Sequence, residues 1–155
     1  MQIWRSFSRL SDFERAAVLQ AAAGLTATWV GLRLAGFRRW KALLERIAQE
    51  SARHFAIENV ANAGAGREIA RMQAAAVRHL PFKTNCLEQS LVLWWLMRRH
   101  GLAAELRIGG RKVVDRFEAH AWVEFEGSVL SDWSEEHLHF VPFDGSVSSM
   151  EIQAQ

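Results

Sequence analysis

Apolar positions repeat with a helical period up to Arg99 and with a period of two beyond Gly101. That change divides the chain into a helical first part and a strand-rich second part. Ser11-Asp12-Phe13-Glu14 has the form of a capping box, hydroxyl and carboxylate each satisfying an N–H at a helix start. It predicts a helix to about Leu34, with Gly36 at its stop. A second helix is expected from about Arg38 to Phe55, with Trp40, Leu43, Leu44 and Ile47 on one face. Asn59 to Gly66, with two asparagines and two glycines, reads as a loop. A third helix, about Arg67 to His79, turns Ile69, Met72 and Ala76 to the core, and Leu80 continues that stripe. Pro81 ends it, because a proline biases the preceding residue toward an extended conformation.

The fourth helix is apolar nearly all round, from Leu87 through Leu91 to Met97, and so belongs in the centre of the fold. Asn85 is placed to cap its start, and Glu88, three residues on, can reach back to the Asn85 N–H. Arg98, Arg99 and His100 suit its negative end, and Gly101 stands at the usual stop position. Strands follow. Ala104, Leu106 and Ile108 alternate with Glu105 and Arg107, and Gly109-Gly110 opens a charged connection through Arg116. From about Phe117 to Glu126, Ala119, Ala121, Val123 and Phe125 face one way, and Glu118, His120, Trp122 and Glu124 the other. Val129 to Asp132 is expected to pair back as a hairpin, and Trp133 to Phe143 has room for another short strand. The layout is α+β.

Composition narrows the function classes. At 155 residues the chain fits one domain with a substantial core. A single cysteine excludes an internal disulfide and a Cys-based zinc cluster. Residues 1–81 carry 12 Lys and Arg against 6 Asp and Glu, whereas residues 82–155 carry 7 against 11. Without a nucleic-acid motif or interleaved aromatics, the basic half reads as a solvated or partner-facing surface, not a nucleic-acid site. The uncharged run Ala16–Leu32 is 17 residues long and holds Gln20, Thr26, Thr28 and two glycines, which fits a buried or partner-binding helix better than a stable membrane span. Asp12 and Glu14 before it are wrong for a secretory signal.

The chemistry centres on Cys86, placed as the first residue of the buried helix, where the macrodipole favours a thiolate. A lone cysteine is commonly a small core hydrophobe, so its company decides. His120 is the base to test, since cysteine hydrolases need an imidazole to move the thiol proton and a third group to hold the ring. Asp132 suits that third role by spacing. A three-residue loop, Glu126-Gly127-Ser128, would set Trp122 opposite Asp132, whereas a two-residue loop would turn Asp132 to the other face. Glu124 shares the face of His120 and rivals Asp132; with Trp122 it is also a candidate for lining the substrate. His137 and His139 lack a convincing ligand set, so no metal is assigned.

Taken in order, Leu80-Pro81, Asn85-Cys86-Leu87, Arg99-His100-Gly101-Leu102, Leu106-Arg107-Ile108-Gly109, Ala119-His120-Ala121-Trp122-Val123-Glu124 and Ser131-Asp132 resemble the leader peptidases of lasso-peptide biosynthesis. These are bacterial cysteine proteases of the transglutaminase-like superfamily. The resemblance spans about Ile69 to Asp132, and Leu34-Ala35-Gly36-Phe37-Arg38-Arg39 extends it less specifically. It implies a transglutaminase-like or papain-like core with Cys86 as nucleophile, His120 as general base and acid, and Asp132 as orienting acid. It implies a ribosomally made lasso precursor as substrate, a separate leader-recognition protein, and an asparagine-synthetase-like cyclase acting next. No cofactor is required, and a cytoplasmic setting is expected. The Cys86 backbone N–H is the natural oxyanion donor, with Asn85 a possible second. On this reading residues 1–66 form a helical docking region, 67–145 the catalytic core and 146–155 a tail. Two other readings stay open: acyl transfer to an amine by the same triad, and a non-catalytic helical binding protein.

Overall fold

A computed structural model of the chain describes residues 12–55, 63–114, 116–130 and 139–143. Among these residues three helical elements precede the sheet: α1 (Asp12–Phe55), α2 (Ala63–His79) and α3 (Cys86–Arg99). Four strands follow among the described residues: β1 (Glu105–Val113), β2 (Arg116–Phe125), β3 (Ser128–Val129) and β4 (Val141–Pro142). The fold is α+β, with an antiparallel sheet in the order β3-β2-β1-β4.

The two N-terminal helices read from the sequence are the two halves of α1, broken at Gly36, whose φ of 74° and ψ of 169° suit glycine and strain other residues. The break lets the second half fold back on the first. Trp40 lies against Gly31, where an added Cβ would come within 2.3 Å of its ring, and its Nε1 donates to Thr28 Oγ1 at 3.1 Å. Leu44 and Ala48 are buried, but Leu43 and Ile47 are 45% and 43% exposed, so the expected four-residue core face is narrower than its periodicity suggested.

The loop expected over 59–66 ends earlier, because α2 already begins at Ala63. Gly66 is a packing residue: a Cβ there would come within 3.1 Å of Phe125 and Met97. It lets α2 approach both α3 and the sheet. The expected core positions Ile69, Met72 and Ala76 are buried. The connection expected at Gly109-Gly110 is likewise strand, since β1 runs on to Val113. Those glycines make room for crossing rings. A Cβ on Gly109 would meet the Trp122 ring at 2.8 Å, and one on Gly110 the Phe117 ring at 2.2 Å.

Helix α3 is the centre. Leu91, Val92, Leu93, Leu96 and Met97 are buried and share one core with Val18 and Leu25 of α1, Ile69 and Met72 of α2, and Val123 and Phe125 of β2. Its end is a Schellman turn: Gly101 N–H donates to the Arg98 carbonyl and Leu102 N–H to that of Met97. Buried Leu102 then seats the chain before β1.

Candidate active site

Cys86 opens α3, partly exposed, behind a complete capping box. Glu88 N–H donates to Asn85 Oδ1 and Asn85 N–H to Glu88 Oε2, each at 2.9 Å. The box uses the N–H groups of Asn85 and Glu88, not that of Cys86. It uses the oxygen of the Asn85 carboxamide and leaves its nitrogen outside the cap. Upstream, Gln89 Nε2 donates to Thr84 Oγ1 at 3.0 Å and to its carbonyl at 3.2 Å, fixing the approach to Cys86. Beside this segment lies an open recess of about 350 Å³ lined by Val77, Leu80, Pro81, Phe82, Lys83 and Thr84.

His120 stands in the middle of β2, directly opposite Gly109. Its ring stacks on Trp122, with centroids 6.1 Å apart and an 18° interplanar angle, and meets Phe140 at 5.1 Å. Phe140 comes from the segment leading into β4, and the Arg111 guanidinium lies 4.6 Å over its ring. Trp122 is buried, and its Nε1 donates to Glu124 Oε1 at 2.9 Å. Arg107 Nε donates to the other Glu124 oxygen at 3.0 Å. The imidazole therefore sits among rings, while both oxygens of Glu124 are engaged by Trp122 and Arg107.

Strand alternation sets these side chains on the sheet face opposite Ala121, Val123 and Phe125, and Val123 and Phe125 pack into the helical core. What joins α3 to the histidine segment is Ser90, whose buried Oγ donates to the Ala121 carbonyl at 2.8 Å. Ser90 lies one turn after Cys86 on the same side of α3, and Ala121 follows His120. The Leu130 N–H donates to the Val123 carbonyl, so that carbonyl points toward β3. Carbonyls two apart along a strand point the same way, and the Ala121 carbonyl shares that side. The head of α3 thus meets β2 along its β3 edge. The Ser90 bond ties the Cys86 turn to the backbone at Ala121, the residue after His120.

Asp132 lies outside the described residues, as do Trp133 and His137. The hairpin before Asp132 differs from the expected one. Glu124 pairs with Val129 and Phe125 with Ser128, so the loop is the two residues Glu126-Gly127. Their φ values of 49° and 73° fit a type I′ turn, whose twist matches that of the strands. Among the described residues no cluster of His, Cys, Asp or Glu could hold a metal ion. Nor is any described helix long and apolar enough to cross a membrane.

The cap at Asn85 and Glu88 was legible in the sequence, but Ser90, Phe140 and Arg33, which donates to Glu88 Oε1 at 3.2 Å, were not. Ser90 left one signal, a hydroxyl abutting the seven-residue apolar run Leu91–Met97. Phe140 and Arg33 left none, since their contacts are made between distant segments.

A central helix opened by a cysteine and bonded through Ser90 to a strand of an antiparallel sheet fits an α+β protein of the transglutaminase-like kind. The family model for the transglutaminase-like superfamily matches residues 27–143, and the chain belongs to that superfamily, which generally contains cysteine proteases and transferases. Comparison with curated proteins gave no match, and comparison with solved structures gave none.

Proposed function

We propose that this chain is a cysteine peptidase that removes the leader from a ribosomally made lasso-peptide precursor. The observation carrying the enzymatic reading is the seat of Cys86: partly exposed, first in a capped central helix, one turn from the Ser90 bond to the His120 strand. A core hydrophobe would be sealed inside. The substrate class rests on the ordered motifs from Leu80-Pro81 to Ser131-Asp132. In this reaction Cys86 Sγ attacks the carbonyl at the leader–core junction, and its proton passes to His120. The Cys86 N–H and the Asn85 carboxamide nitrogen are the proposed donors to the oxyanion. His120 then protonates the departing core amine, and water hydrolyses the thioester, releasing the leader acid.

Asp132 is the proposed orienting acid. Since Glu124 is engaged and the hairpin loop has two residues, this role requires a bulge between Leu130 and Asp132. A separate leader-recognition protein and the cyclase complete the proposed pathway.

The test is mass spectrometry of a lasso precursor incubated with the chain, with and without a leader-binding protein. Wild type should release leader and core, Cys86→Ala none, and His120→Ala should be slower by about 10²-fold or more. Release that survives Cys86→Ala sinks the proposal. A product carrying an added amine in place of water assigns the site to acyl transfer instead.

A further inference from the structure

Glu88 is buried, its side chain only 3% exposed, and its two oxygens face different elements. Oε2 accepts the Asn85 N–H inside the cap, while Oε1 accepts from Arg33 Nη1 of α1 at 3.2 Å. Arg33 is itself held. The same Nη1 donates to the Trp29 carbonyl at 2.7 Å, and the guanidinium lies 4.0 Å over the Trp29 ring. That ring packs on Phe82, with centroids 5.5 Å apart, in the segment leading to Cys86. One turn of α1 therefore grips the cysteine segment at two points, through the carboxylate of its cap and through the ring four residues ahead of the thiol. A capping box closed on itself needs no third partner. Here the buried carboxylate is given a cation from 55 residues away, which compensates its charge and fixes its direction.

We infer that Arg33 is a positioning residue for Cys86: acting through Glu88 and Asn85, it sets the angle at which α3 presents the thiol. This rests on the reading of Cys86 as nucleophile, but its test does not depend on peptide cleavage alone. Cys86 is the sole thiol, so its alkylation by iodoacetamide in the native protein, followed by intact mass, reports the seat directly. Arg33→Met keeps an unbranched stem for Trp29 and removes the charge facing Glu88. It should slow native alkylation by about fivefold and lower kcat for leader release about tenfold, with KM within about twofold of wild type. Arg33→Lys restores the charge and should recover most of both rates.

Wild-type alkylation and kcat in Arg33→Met overturn the inference. So does an equal loss in Arg33→Met and Arg33→Lys, which would mark a merely structural role. Should Arg33→Met fail to fold, Glu88→Gln carries the same test, keeping an oxygen toward Asn85 and dropping the charge toward Arg33. Native rates in that variant overturn the inference equally. Wild-type Cys86 that reacts only in denaturant overturns the nucleophile reading instead, an outcome distinct from loss of the Arg33 effect.

Discussion

Removing the Ser90 hydroxyl leaves the Ala121 carbonyl without the donor that reaches it from α3, in a place where Ser90 is buried. A buried acceptor that loses its partner bears much of its desolvation cost, so Ser90→Ala should destabilise the fold by about 1–3 kcal/mol, read from the urea midpoint at unchanged slope. The same bond ties the Cys86 turn to the His120 segment. Ser90→Ala should therefore also lower kcat by about tenfold, while a stability loss with native kcat would show that the two segments are aligned by other contacts. At this scale the sequence was legible where partners are close along the chain. Asn85 and Glu88 are three residues apart, and their reciprocal bonds follow from residue type and spacing alone. Arg33 and Glu88 are 55 residues apart, and nothing local to either announces the pair. Glycines were legible as punctuation at Gly36 and Gly101, where φ is positive, but not at Gly66, Gly109 or Gly110. At those three the missing Cβ answers a ring or chain arriving from elsewhere.

Among the elements, α3 carries opposite chemistry at its two ends. Its head is a capped, partly exposed thiol, whereas its tail places Arg99 and His100 against the body of the protein. Burial pushes the His100 imidazole below its ordinary value of 6.5, and the neighbouring Arg99 guanidinium adds in the same direction. The sign follows directly. Below about pH 6.5 the unfolded chain takes up this proton while the folded one resists, so the folded state loses stability as pH falls toward the lowered value. Thermal unfolding between pH 7 and 5 should show this fall, and His100→Gln should flatten that part of the profile; an unchanged slope would assign it to other groups. The hairpin after β2 shows how an element can mislead. Its spacing allowed a three-residue loop that set Asp132 beside His120, but Glu126 and Gly127 both adopt positive φ and close the turn in two. Glutamate is not a residue that advertises such a turn, so the register was not legible from sequence.

Across the whole molecule, the fold of α1 on itself leaves an apolar groove lined by Ala23, Ala27, Val30, Leu34, Trp40 and Leu43, with Arg39 at its margin. Leu34 is 83% exposed there. This surface belongs to the basic half of the chain, and we propose it as the docking place of the leader-recognition protein. Leu34→Glu with Val30→Glu should abolish pull-down of that protein while leaving the circular dichroism of the chain unchanged; retained binding would move the interface elsewhere. The seat of Cys86 has a further practical consequence. A lone sulfhydryl at the head of a helix anchored in the core accepts a single fluorine or dye label at a defined point. Because the label also blocks the proposed nucleophile, it would register the arrival of a precursor, or of a protein bound to α1, as a change in its resonance or emission with the precursor left intact.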